Sequence, residues 1–463
     1  MAKSQSTDNR SRKLSSRKGG IDRCWSVAAF AFIMFFMESA TMRTTGFFYV
    51  GIMKELGVDR GQASWPVNLM GSVNDFGGLV SGPLSQSFST VPVLLAGTLI
   101  ASGGVMASSF APDITWMSLT LGVAHGFGLG MMITMLQVLI SMYFKRYRGV
   151  ANGIMFAGST FSSFVFPRLL LFLTEIYNFR NCLLLLGAIL MNMTAVGLLF
   201  REPKWAKKLP PERRMSFIPE AVVYNDESEF SAPQTDISEN DHKQSSLKVI
   251  AHQVTEVFKS IMFYVLLISW LVLCYDFDIF FSTIIDFAID TGVLLSDAMS
   301  LIPYFSITDL IGRIVLPLLA DRKYVRRSTL SLLNFLFLGT GMAVLPLVTS
   351  YASLLAVCLF ISFFMGSAVT MHCVLMADHI GLERLAVAYS IMGALCGPAL
   401  MGKAPFVGYF RDDIGSYDLM FWILGALSIL VSSLWLLVLC FEERKKKKWE
   451  LDILHNMPCT HHM

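Results

Sequence analysis

Met299–Ala320 reads MSLIPYFSITDLIGRIVLPLLA, an apolar run whose charges are Asp309 and Arg313 alone. Crossing the roughly 30 Å of bilayer hydrocarbon takes about 20 mostly apolar residues in one helix, and this run suffices. The spacing of four puts both charged side chains on one helix face. A charge at the centre of a spanning helix costs about 2.5–3.5 kcal/mol, so charges kept there usually face a water-filled interior and mark a substrate or proton path. The other reading is a structural ion pair that only holds two helices together.

The rest of the chain agrees with a membrane-spanning reading. With 54% hydrophobic residues, 15% charged residues and a mean hydropathy of +0.57 over 463 residues, it cannot be a water-soluble globule. Twelve stretches are long and apolar enough to span: 24–49, 64–86, 90–110, 114–143, 149–173, 181–200, 259–288, 294–319, 328–348, 352–376, 385–410 and 418–441. Most Lys and Arg fall in the tails and loops on the N-terminal side. Lys54, Arg60, Arg180 and Arg411 occupy the opposite loops, and Arg43, Arg168, Arg313 and Lys403 lie inside spans. The positive-inside rule therefore puts both termini in the cytoplasm. The first apolar run exceeds a signal-peptide core and has no small-residue cleavage pattern after it, so it reads as a retained first span.

The expected fold is an all-α membrane protein of 12 transmembrane helices in two six-helix bundles. Its parts are a cytoplasmic tail over 1–23, an N-terminal bundle over 24–200, a cytoplasmic linker over 201–258, a C-terminal bundle over 259–441 and a cytoplasmic tail over 442–463. The linker turns from basic to acidic and has the composition of a disordered segment. Its end, Leu247 to Phe258, has helical apolar spacing and reads as an interfacial helix or a leader into the seventh span. Eight cysteines are scattered singly, which argues against metal and disulfide frameworks. Of these, Cys24 and Cys440 lie near the expected inner face, where acylation is possible. Sequons at Asn9 and Asn192 fall in the cytoplasm and in a span by this topology. Glycines inside the spans suit close helix packing or a rocking hinge, and none forms a phosphate-cradling loop. No ATP-binding or nucleophile motif is present, so neither a pump nor an enzyme is expected.

Six spans, a long inner loop and six more spans resemble the layout of a major facilitator transporter. The stretch Tyr143–Gly158, YFKRYRGVANGIMFAG, resembles the signature of the monocarboxylate transporter family (solute carrier family 16), YF-x-x-RR-x-x-A-x-G-x-x-x-A-G. Similar family stretches recur at Tyr177–Asn181, Asp286–Val293, Asp378–Leu385 and Gly415–Asp418. The family's opening motif survives only as Asp22-Arg-Cys-Trp25, without its glycines and second tryptophan. The loop after Gly82-Pro-Leu-Ser lacks the family's charged residues and is several residues short.

The resemblance implies roles for particular residues. Asp309 would bind the coupling proton and Arg313 the substrate carboxylate, and the chemistry agrees. A guanidinium is a permanently charged planar fork that matches a carboxylate, whereas a desolvated aspartate gains affinity for a proton. Lactate-carrying members use a lysine in span one, and Met42 stands at that place. Its neighbour Arg43 is then either a second substrate-binding residue or an arginine pinned to a residue such as Glu38. Lys145, Arg146 and Arg148 belong to the gate and loop motif of the signature, and Asp321 and Arg322 read as its counterpart in the second half or as solvated loop charges. Asp75, Arg168, Asp276, Asp278 and Lys403 are further intramembrane charges, with Arg168 either an anion contact or the partner of Asp75 or of a span-seven aspartate.

The expected function is a plasma-membrane secondary transporter of small organic monocarboxylates, driven by a proton and needing no cofactor or metal. Two alternatives stay open: a proton-independent carrier of a larger or zwitterionic carboxylate (an aromatic amino acid, a hormone-like acid, carnitine), and a non-transporting carboxylate sensor. The expected partners are the small carboxylate, membrane lipid and, by family resemblance, a single-span ancillary membrane glycoprotein. No nucleic acid is expected.

Overall fold

The computed structural model describes residues 22–203 and 251–455. Asn9, most of the linker including Leu247–Ile250, and Cys459 lie outside them. Among the described residues all regular structure is helical. The helices are α1 Trp25–Met42, α2 Thr45–Leu56, α3 Arg60–Ser87, α4 Thr90–Ser108, α5 Ile114–Tyr143, α6 Arg148–Ile176, α7 Phe179–Gly197, α8 Ile261–Asp290, α9 Leu295–Asp321, α10 Arg327–Val344, α11 Tyr351–Ile380, α12 Leu385–Leu400, α13 Lys403–Gly408 and α14 Asp418–His455.

Eleven described segments are long and apolar enough to cross a membrane. The remaining expected span, 64–86, lies within α3, which is long enough at 28 residues but diluted by Asn74, Asp75 and several Gly and Ser. Residues 251–259 form a separate helical stretch that stops at Ser260, just before α8.

Three spans depart from a single regular helix. The first breaks after Met42, where the Arg43 N–H turns back to the Ser39 carbonyl (2.9 Å) and the Thr44 hydroxyl donates to the Ala40 carbonyl (2.5 Å). A side-chain hydroxyl that takes a helical carbonyl competes with the backbone ladder. In the eleventh, α12 ends at Leu400 and α13 begins at Lys403, with Pro405 unable to donate to the preceding turn. In α5 the stretch Ser118–His125 is a π-helix, a form concentrated at functional positions because its extra residue re-aims side chains.

The chain falls into two compact units, one reaching up to Leu267 and including Met376–Ala404, the other made of Ile268–Leu375 and the residues from Pro405 on. In the first unit α1 packs along α6 through a ladder of rings, Phe32 on Phe161 (5.6 Å between centroids), Phe35 on Phe156 (5.0 Å) and Phe36 on Phe166 (5.1 Å). Each such pair contributes about 0.5–1.5 kcal/mol beyond its area. In lipid the chains gain little from hydrophobic burial and rely on close backbone approach. Gly130 shows this, because a Cβ there would run into the Asn74 carbonyl of α3. In the second unit α10 packs on α14, Phe287 meets Phe421 (5.2 Å), and the indole of the buried Trp435 donates to Ser269 Oγ (3.0 Å).

Candidate functional site

Asp309 and Arg313 lie in the middle of α9, and Arg313 Nε donates to Asp309 Oδ2 at 2.7 Å. The side chains are 3% and 2% exposed. The pair is sealed by α11, whose Gly366 has no side chain to fend it off. A Cβ at that position would strike the Asp309 carbonyl oxygen and stand 2.7 Å from Asp309 Oδ1 and 3.1 Å from Arg313 Cγ. Gly312, between the two charged residues, likewise lies against the Phe363 carbonyl. The close α9–α11 approach keeps both charges dry, where their attraction is strong and where removing one partner typically costs 3–5 kcal/mol. Geometrically, the pair suits a permanent strut and a proton-controlled anion site equally.

In the first unit Arg43 caps the broken end of α1, and its Nε donates to Ser159 Oγ of α6 at 3.1 Å. Glu38, one turn back, is buried, accepts the Ser39 hydroxyl at 2.7 Å and feels the Arg43 charge. His125 of the π-helical turn bridges α4 and α1, with Nδ1 at 2.8 Å from the Ala101 carbonyl and Nε2 at 2.9 Å from Thr41 Oγ1. A carbonyl only accepts, so Nδ1 carries the proton; in the neutral ring Nε2 then accepts from Thr41. Both readings of Arg43 therefore keep support: a polar contact other than Glu38, and Glu38 within electrostatic reach.

The signature loop splits by direction. Lys145 and Arg146 are exposed, whereas Arg148 turns inward and donates to Asp378 Oδ1 (2.6 Å) and to the Phe144 and Ser141 carbonyls. Two family-like stretches, around Arg148 and around Asp378, thus meet. The reduced opening motif also has a place here. The Asp22 carboxylate accepts the backbone N–H groups of Lys145, Arg146 and Tyr147 (3.0–3.2 Å), and Trp25 lies against Phe144 (5.1 Å). The two residues retained from the motif are the two that hold the loop. In the second unit Asp321 is buried and pairs with Arg327 (2.8 Å), a partner that the sequence reading missed, while Arg322 is exposed. At the other ends of the spans, Arg180 pairs with Glu55 (2.8 Å), and Arg411 pairs with Asp290 and Asp286 beside the Tyr417 ring.

Among the remaining charges, Arg168 is exposed on α6, and the pairing with Asp75 of the same unit is not formed. Asp276 is buried and accepts the Ser428 hydroxyl from α14; Asp278 is exposed. His372 of α11 is buried against the Trp270 ring (4.7 Å between centroids). Sequence reasoning gave no role to His125 and His372, although a histidine inside an apolar run was a usable signal. Nothing local marked Ser159 or Gly366. A surface groove of about 470 Å³ at the ends of α10 and α14, lined by Tyr324, Arg326, Cys440 and Glu443 among others, does not include the buried pair.

Helices broken beside buried charges, wrapped into an all-helical membrane-spanning fold, are how secondary transporters build their sites. Residues 31–401 match the family model of the Major Facilitator Superfamily, and the chain belongs to that superfamily. Solved structures of FucP show the same fold: one in the outward conformation, at a TM-score of 0.64, 13% identity and coverage of 88% of this chain and 98% of that one, and the Escherichia coli fucose:proton symporter at a TM-score of 0.63 and 12% identity over the same shares. Within the superfamily the chain is similar to several monocarboxylate transporters. It is 24% identical to monocarboxylate transporter 9 of Mus musculus over 91% of this chain and 94% of that protein. Identity to human monocarboxylate transporter 2 is 27% over 89% and 84%, and to human monocarboxylate transporter 12 it is 25% over 92% and 81%.

Proposed function

We propose that this transporter moves small organic monocarboxylates across the plasma membrane with a proton, using Arg313 as the carboxylate-binding residue, Asp309 as the proton-binding residue and Arg43 as a second substrate contact. The observation that carries the reading is the buried 2.7 Å Arg313–Asp309 contact inside a spanning helix. While Asp309 is charged it occupies Arg313, and when it takes a proton Arg313 turns to the anion. That exchange of partners couples the two fluxes. Relatives named for monocarboxylates support the substrate class. The charge asymmetry of the loops supports both termini in the cytoplasm, with the signature loop, Lys145, Arg146, Arg148, Asp321 and Arg322 at the inner face as gate and loop anchors. The absence of nucleophile and nucleotide motifs supports a carrier without enzymatic activity or cofactor. A single-span ancillary glycoprotein is the expected partner by family resemblance.

Met42 and Arg43 at the place of the lactate carriers' lysine favour a second reading, a proton-independent carrier of a larger or zwitterionic carboxylate such as carnitine. Uptake of a labelled carboxylate panel into proteoliposomes, with an imposed pH gradient and without one, separates the two. Accumulation that follows the gradient supports the first reading, gradient-independent uptake the second, and carboxylate binding without flux a sensor.

A further inference from the structure

The cluster at the broken end of α1 contains a buried carboxyl group that the proposed cycle does not use. Glu38 is 4% exposed, and its carboxylate accepts a hydrogen bond from the hydroxyl of its neighbour Ser39 (2.7 Å). It lies just before the last turn of α1, toward the end where the helix dipole is negative and penalises a second negative charge. The same end of the helix favours a cation, and Arg43 is there as the cap. A glutamine would make the same hydrogen bond without the cost of an intramembrane charge. Arg43 has in addition a neutral resting place on Ser159 (3.1 Å), so it has somewhere to stay when Glu38 is neutral.

The charged groups and the histidine on the helices packed against α1 are accounted for. From α5 comes His125, whose two nitrogens are engaged by Ala101 and Thr41. On α6 Arg148 is bound to Asp378, Arg168 is exposed, and Glu175 lies at the far end of the helix. On α7 Arg180 is held by Glu55. Arg43 is thus the cation that acts on Glu38.

We propose that Glu38 is a second proton-binding group, which holds Arg43 when charged and releases it toward the substrate anion when protonated. The proposal rests on the reading of Arg43 as an anion contact, and its test has a readout that needs no transport. The purified full-length chain in detergent is titrated from about pH 8 to pH 5 by infrared spectroscopy, which reports the carbonyl stretch of a protonated carboxyl group in a dry environment. Glu38→Gln should delete one component of that band, and Asp309→Asn should leave that component in place. Glu38→Asp should keep it at a shifted frequency, which decides the matter if the glutamine variant does not fold. A band identical in wild type, Glu38→Gln and Glu38→Asp overturns the proposal. In proteoliposomes, labelled pyruvate and labelled carnitine serve as probes. For whichever probe the wild type moves, Glu38→Gln should flatten the rise in uptake between pH 8 and pH 6, and an unchanged profile overturns the release of Arg43. If neither probe moves in wild type, the transport reading fails while the infrared result still decides whether Glu38 binds a proton.

Discussion

The two units each bury a carboxylate next to an arginine, and they do so by different means. In the second unit Asp309 and Arg313 share one regular turn of α9, and the pair is closed off by the bare backbone at Gly366. In the first unit Glu38 and Arg43 are five residues apart and straddle the end of α1; Arg43 is half-buried and leans on Ser159. A pair four apart on an intact helix is geometrically ready-made. A pair split by a helix break depends on neighbouring helices for its geometry, and its arginine has a neutral alternative. The first arrangement is suited to a tight switch, the second to an adjustable contact.

The comparison breaks first at Asp309. Asn mimics the protonated form but cannot give up a proton, so Asp309→Asn should abolish net uptake driven by an inward proton gradient. Exchange of labelled for unlabelled substrate should survive, because it needs no proton release. In wild type uptake should rise as external pH falls. Gradient-driven accumulation in the asparagine variant would remove Asp309 from coupling.

Next in size is Arg313→Lys, expected to lower uptake about 100-fold at unchanged surface expression, because an ammonium cannot offer the two-pronged fork. Full activity with lysine would reduce Arg313 to a strut. Gly366→Ala pushes a methyl group into the pair, and overpacking of about 1–3 kcal/mol should lower uptake several-fold to about 100-fold, with a lower melting temperature of the purified protein. The equivalent insults in the first unit should be milder. Arg43→Lys keeps a cation within reach of Glu38, and Ser159→Ala removes one hydrogen bond worth about 1 kcal/mol, so each should change uptake less than about tenfold. If Arg43→Lys proves as damaging as Arg313→Lys, the two pairs are equivalent and the contrast drawn from the helix break is wrong. A loss of Arg43→Lys confined to surface expression would mark that arginine as structural.

How much of this was readable in the chain depends on the range of the interaction. The Asp309–Arg313 contact was legible because both residues lie on one helix, and lipid forces that helix to form its own backbone hydrogen bonds. Asp321 was read with its neighbour Arg322, yet it pairs with Arg327 across the turn into α10, since adjacent residues on a helix point apart. The loss of the glycines and second tryptophan of the opening motif left no inference about how the first helix packs. The structure shows Asp22 and Trp25 meeting the signature loop, a contact between segments far apart in sequence. The break at Arg43 had a local cause in Thr44, but a hydroxyl in a span takes a backbone carbonyl as often without breaking the helix, so the pattern alone was ambiguous.

Class, span positions and the Asp309–Arg313 contact were therefore determined by the sequence, through hydropathy, helix periodicity and the cost of an intramembrane charge. The tertiary structure decided which backbone lies against that pair, which cations Asp321 and Asp378 meet, and where Arg43 rests. Those outcomes depend on close approaches between helices, at Gly366, Ser159 and Asp378, and a close approach has no local signature because it is a property of two surfaces at once.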